Sequence, residues 1–134
     1  MKLIVYTDGA SRNNPGKASY GFTISSDKGE LIYEEGKYIG LTTNNIAEYR
    51  AVLEAFKYIH QNITSAAEIH LFADSRLIIE QLLGNFKVKH PGLKPLFTEI
   101  KSLEKFLPKI TYTHVLRERN KIADRLANLA LDSI

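Results

Sequence analysis

Two periodicities divide the chain. Residues 2–8 are an apolar run that stops on Asp8, the pattern of a strand buried on both faces. Asn13-Asn14-Pro15-Gly16 then supplies turn chemistry. From Ala18 to Ser26, small or polar positions alternate with Tyr20, Phe22 and Ile24, as in a half-buried strand. A turn at Asp27–Glu30 leads into a third strand over 31–39. Three strands joined by short turns predict an antiparallel meander.

The period then lengthens. Thr42-Thr43-Asn44-Asn45 offers capping residues before a helix over 46–61, with a stripe at Val52, Ala55 and Ile59. Carried back one turn, the stripe reaches Glu48, a charge in line with the core face. Residues 68–73 repeat the opening, a strand running onto Asp74, and a helix from Ser75 closes at Gly84. Residues 85–94 are a basic connector interrupted by Pro91-Gly92. A helix over 95–106 has Leu96, Ile100, Leu103 and Leu107 on one face and predicts a row of cations, Lys94, Lys101 and Lys105, on another. A strand over 110–116, a charged turn over 117–121 and a helix over 122–131 complete the chain. The order β-β-β-α-β-α-α-β-α predicts a single α/β domain, 1–134, with a mixed five-stranded sheet flanked by helices. Strands one, four and five are expected to be parallel, through right-handed crossovers.

Composition narrows the chemistry. There is no Cys, which excludes disulfides and thiolate metal sites. No apolar run approaches the roughly 20 residues of a membrane-spanning helix, and the start of the sequence has no leader pattern. The expectation is a cytoplasmic protein, monomeric and without an obligate protein partner. The net charge of +3 is unevenly spread: residues 84–125 carry ten Lys/Arg against four acids, and the remainder is net acidic. Such asymmetry suits a polyanion held close to carboxylates, and equally a solvated surface of mixed charge.

Four acids stand out by position. Asp8 and Asp74 end strands, Glu48 sits on the inner side of a helix start, and Asp124 lies in the first turns of the last helix. Singly, each Asp reads more readily as a cap or turn residue than as a catalytic one, and Glu48 as a first-turn acid favoured by the helix dipole. Together, at the carboxyl ends of neighbouring parallel strands, they occupy the usual ligand position of an open α/β sheet. Converging carboxylates repel unless cations neutralise them. Oxygen ligands alone favour hard ions such as Mg²⁺ or Mn²⁺. Paired ions of this kind suit phosphodiester hydrolysis.

Four segments carry a family resemblance. Thr7-Asp8-Gly9-Ala10-Ser11 with Asn14-Pro15-Gly16 resembles the opening motif of type 1 ribonuclease H. Thr43-Asn44-Asn45 with Glu48 resembles the second motif, Asp74-Ser75 the third, and Asn120 with Ala123-Asp124 and Leu126-Ala127 the fourth, all in order. The chain is similar to compact bacterial and archaeal versions, without a hybrid-binding domain or basic protrusion.

The resemblance implies a ribonuclease H-like fold and a metal-dependent endonuclease. That enzyme cuts the RNA strand of RNA–DNA hybrids, leaving 5′-phosphate and 3′-hydroxyl ends. It implies that Asp8, Glu48, Asp74 and Asp124 are catalytic and hold two Mg²⁺ ions, with Mn²⁺ as a substitute, and that Glu48 lies near the RNA 2′-hydroxyl. Gly9, Ser11, Asn14, Asn45 and Arg76 are then expected to line the RNA groove, with a larger side chain at position 9 holding the RNA away. Thr43 and Asn44 are expected to grip a phosphate of the DNA strand.

The chain also departs from the family pattern. The loop before the last acid is only Arg117–Lys121, and Arg117 is the candidate substrate contact in place of the usual His; His114 is read as a strand-end residue. Phe86, Lys87 and Lys89, with the Lys94, Lys101 and Lys105 row, are the nearest substitute for the basic protrusion. Arg76 stands where many relatives have a neutral side chain. His60, His70 and His90 suggest no site. The competing functions are a binding module that has lost activity and a nuclease of the same fold acting on double-stranded RNA or junctions. Fold alone does not separate these.

Overall fold

In the computed structural model, which describes residues 1–134, the three N-terminal strands are β1 (Lys2–Ser11), β2 (Gly16–Ser26) and β3 (Leu31–Thr42). They are followed by α1 (Asn44–Asn62), β4 (Glu68–Ala73), α2 (Arg76–Leu82), α3 (Lys94–Glu104), β5 (Lys109–His114) and α4 (Lys121–Asp132). A 3₁₀ turn at Arg117–Arg119 precedes α4. The sheet order is β3-β2-β1-β4-β5. The β1–β2 and β2–β3 pairs are antiparallel, and the β1–β4 and β4–β5 pairs are parallel. This is the predicted mixed sheet.

Pairing explains where the boundaries differ. β1 does not end at Asp8. Its ladder with β4 stops at Thr7↔Ala73, but its ladder with β2 continues to Ser11↔Ala18. β3 outruns the predicted 31–39 because Gly16 and Lys17 pair with Thr42 and Leu41. β5 stops at His114, although the Val115 N–H still donates to the Ala73 carbonyl at 2.9 Å. β1 is also not buried evenly on both faces: Leu3, Val5 and Thr7 are covered, whereas Ile4 and Tyr6 are half-buried.

The main core lies between the sheet and α1. Leu3, Val5, Tyr20, Phe22 and Ile24 meet Tyr49, Val52, Phe56 and Ile59, joined by Ile69 and Leu71 of β4 and by Ile78 and Leu82 of α2. The predicted stripe is therefore the buried face of α1, and Glu48 lies on it.

The opposite face carries α4, which lies flush on the sheet because two strand residues lack side chains. A Cβ at Gly21 would stand 2.4 Å from the Ala123 carbonyl oxygen, and one at Gly36 2.4 Å from that of Leu126. The Ser19 hydroxyl donates to the Ala127 carbonyl at 2.5 Å. This docking brings Asp124 close to the middle of β1.

The predicted lysine row on α3 is broken. The Lys101 ammonium turns inward, donating to the Leu82 carbonyl at 2.5 Å and to Glu104 at 3.2 Å, near the Phe97 and Tyr112 rings. A carbonyl at a helix C-terminus has no intrahelical partner and attracts a cation. No helix is long and apolar enough to cross a membrane.

Candidate active site

The site forms where β1 parts from β4. Asp8 follows Thr7 and Asp74 follows Ala73, the last residues paired between the two strands. The register thus sets the two acids side by side. Glu48 arrives from α1, whose start is capped by the Thr43 hydroxyl accepting from the Ile46 N–H at 3.3 Å. The helix can press against β1 because position 9 is glycine. A Cβ there would lie 2.3 Å from the Glu48 nitrogen and 2.4 Å from the Ala47 carbonyl carbon. One carboxylate oxygen from each of Asp8, Glu48 and Asp74 lies within 4.8 Å of the others.

Asp124 lines the same cleft but stands outside that trio. Its carboxylate accepts from the Asn128 amide at 3.2 Å and raises the affinity of Asp8 for a proton. Asn120 anchors this end of α4. It is 1% exposed and donates to the Thr7 carbonyl at 2.8 Å, one residue before Asp8.

The acids lack protein counter-charges. Asp8 is 5% exposed and Glu48 8%. None of the four forms an ion pair with Lys or Arg. Burial, and next the charge of Asp74, push the Asp8 carboxyl up to about 8. Burial, then Asp8 and Asp74, hold Glu48 well above the usual carboxylate range, against the lowering effect of the Gly9 amide. Buried carboxylates without a counter-charge are costly. An oxygen-only donor set of this kind fits hard divalent cations, which remove that cost.

The open cleft has a volume of about 460 Å³ and includes Gly9, Ser11, Asn44, Asn45 and Arg117 together with the four acids. Asn14 and Thr43 fall in an adjoining groove with Lys87, Lys89 and His90, and Asn45 belongs to both. The Asn14 side-chain oxygen accepts from the Asn44 N–H at 3.0 Å, so the turn before β2 braces the helix entry. Arg76 is exposed at the start of α2 and lines neither hollow. His114 is also exposed and outside the cleft, whereas Arg117 enters it from the 3₁₀ turn. Position 9 has a packing reason to be glycine besides substrate approach, because α1 already occupies the space a side chain would need.

Four residues that line the cleft, Ala10, Arg12, Ser75 and Asn128, were not among the candidates from the sequence. Asn128 lies four residues after Asp124, a helical spacing that could have suggested it. Arg12 lines the cleft and pairs with Asp132 of α4 at 2.5 Å, a contact spanning nearly the whole chain that no local pattern reveals.

Comparison with known proteins agrees with this geometry. Residues 6–130 match the family model described as reverse transcriptase-like. The structure of RNase H1 from Halobacterium salinarum superposes with a TM-score of 0.94 at 36% identity, over 100% of both chains. The chain belongs to the type 1 ribonuclease H family. LC11-RNase H1, whose structure is known in complex with an RNA/DNA hybrid, is 39% identical with a TM-score of 0.92, over 98% of this chain and 97% of that one. A bifunctional protein of Mycobacterium tuberculosis is 40% identical over 134 residues, covering 99% of this ribonuclease H domain. The domain spans only 36% of that relative's length.

Proposed function

We propose that this domain is a metal-dependent endonuclease that hydrolyses the RNA strand of RNA–DNA hybrids, leaving 5′-phosphate and 3′-hydroxyl ends. The observation that carries the reading is the meeting of Asp8, Glu48 and Asp74 within 4.8 Å, in a cleft also lined by amides and arginines. Family membership and the hybrid bound by LC11-RNase H1 support the substrate class.

Asp8, Glu48 and Asp74, with Asp124 beside them, would hold two Mg²⁺ ions, which when bound supply an activated water and charge neutralisation at the scissile phosphate. The chain's own groups do the rest. Ser11, Asn45 and the backbone at Gly9 offer donors and acceptors suited to the shallow minor groove and its 2′-hydroxyls, which mark the RNA strand. Arg117 places a permanent positive charge at the cleft edge, able to hold a phosphate but not to move a proton at neutral pH. Asn128 orients the Asp124 carboxylate through their hydrogen bond. Thr43 would contact the second strand from the adjoining groove, and Asn14, expected on the RNA side, shares that groove with it.

A labelled hybrid, duplex RNA and duplex DNA, each assayed with Mg²⁺ and with Mn²⁺, test the reading. Hybrid cleavage is expected in the RNA strand only. Asp8→Asn and Asp74→Asn are each expected to lower kcat by about 10³-fold or more, the scale of losing a charge that acts directly at the reacting phosphate. Full activity in both variants, or a preference for duplex RNA, would reject it.

A further inference from the structure

Residues 86–89 form an exposed strap between α2 and α3, carrying Phe86, Lys87 and Lys89 outward while Val88 packs partly against the core. Lys87 and Lys89 line the groove that contains Asn14, Thr43 and Asn45. They also line a second hollow on the strap's other side, with Phe86, Lys94 and Phe97. Little holds this segment. The Asn85 and Phe86 N–H groups bond back to the Glu80 carbonyl, and the next backbone bonds come only at His90, with the turn into α3. Between these points, Lys87–Lys89 make no backbone–backbone hydrogen bond.

One side chain bridges the gap. Gln81 of α2 is 5% exposed and lines both hollows. Its carbonyl oxygen accepts from the Tyr49 hydroxyl at 2.6 Å, and its amide nitrogen donates to the Lys87 carbonyl at 3.4 Å. Tyr49 is fully buried in α1, one residue after Glu48. A continuous path of hydrogen bonds therefore links the helix that carries an active-site acid to the backbone of the cationic strap. Hydrophobic packing needs neither end of a buried amide, and a buried amide is tolerated only when both ends are satisfied.

We propose that Gln81 is a positioning residue that fixes the strap so that Lys87 and Lys89 form a set pair of phosphate contacts for the nucleic-acid duplex. This rests on the reading of the domain as a hybrid nuclease. The part assigned to Gln81 is to hold the strap through its bonds to Tyr49 and Lys87. It acts by sparing the strap an ordering cost when the polyanion binds, since a pre-ordered segment gives up less conformational freedom on binding.

Gln81→Glu tests the idea by keeping the acceptor for Tyr49 while replacing the donor to Lys87; Gln81→Met removes both. Each is assayed for hybrid cleavage over a range of salt, beside Lys87→Ala/Lys89→Ala and the combined variants, with thermal melting in parallel. The expected result is a KM raised about fivefold with kcat held, and a salt dependence of KM shallower by about one unit for each lysine that no longer reaches a phosphate. In the Lys87→Ala/Lys89→Ala background, Gln81→Glu is expected to add nothing, since residues acting through one another are not additive. An equal rise in KM in both backgrounds would overturn the proposal. So would a lowered melting temperature with unchanged KM, or Gln81 variants that all fail to fold. If the double lysine variant matches wild type in KM and salt slope, the strap does not touch substrate and the proposal fails while hybrid cleavage stands. A wild type that does not cleave hybrid rejects the functional reading instead.

Discussion

The acid centre and the cationic strap sit at opposite extremes of how a folded chain can hold a charged group. Asp8 and Asp74 leave paired strands at the same register point, and Glu48 is locked by a helix pressed onto a glycine. Every acid in that trio is placed by backbone packing, and the repulsion among them is imposed by the same packing. The strap carries Lys87 and Lys89 on a segment without backbone pairing, tied down by one amide and the side chain of Val88. Rigid burial suits ligands that must converge on a point. A lightly held arm suits phosphates spread along a duplex, where each interaction contributes little and exact placement matters less.

The sharpest way to break this contrast is at Gly9. An added methyl would collide with backbone, 2.3 Å from the Glu48 nitrogen, and no rotamer change relieves a backbone clash. Gly9→Ala is expected to destabilise the domain by about 2–3 kcal/mol, the scale of overpacking. It should also lower kcat by about 10²-fold, because Glu48 is displaced from Asp8 and Asp74. Denaturant titration and single-turnover cleavage check both effects. Wild-type stability in this variant would mean that the helix is not held where the structure has it.

A smaller effect concerns pH. The Asp8 carboxyl is raised to about 8 in the fold from an ordinary 3.8, so the folded state binds a proton that the unfolded state has released across that interval. Stability contributed by the protonated form is present below about 4 and is lost as pH rises towards about 8. In chelator, the melting temperature is therefore expected to fall over this window. Asp8→Asn should flatten the slope and raise the neutral-pH melting temperature by roughly 5 °C. Divalent cations, binding only the folded state, should raise the wild-type value and leave the variant less affected. A wild type whose melting temperature climbs from pH 4 to 8 in chelator would contradict the assignment.

The strap should show the least response. Lys89→Ala is expected to change stability by no more than about 0.5 kcal/mol, as for other exposed positions, while weakening hybrid binding and its salt dependence. A large drop in stability would make the strap a structural element after all.

Much of this was legible residue by residue. Alternation marked the meander, the wider period marked α1, and the line from Ile59 back through Val52 placed Glu48 on the buried face. The four acids stood out by position, and the four motifs in order joined them into one candidate set. What escaped were features fixed by pairing across the chain. Asp8 reads as a strand end, yet β1 continues three residues further against β2. Lys101 reads as one of a surface row, yet the free carbonyl at the end of α2 draws it inward. Arg12 falls just before the Asn13–Gly16 turn with no signal of its own, yet it pairs with Asp132 and lines the cleft.

By itself the sequence determined the elements and their order, because hydrophobic period, caps and turn residues act over a few positions, and it marked out four acids by their places on those elements. Only the tertiary structure decided that three of the four acids meet within 4.8 Å, that Asp124 lies beside that trio and next to Asp8, and that a buried glutamine ties α1 to the strap. Those outcomes depend on register and on the close approach of helices to Gly9, Gly21 and Gly36, and neither is encoded in any single stretch of chain.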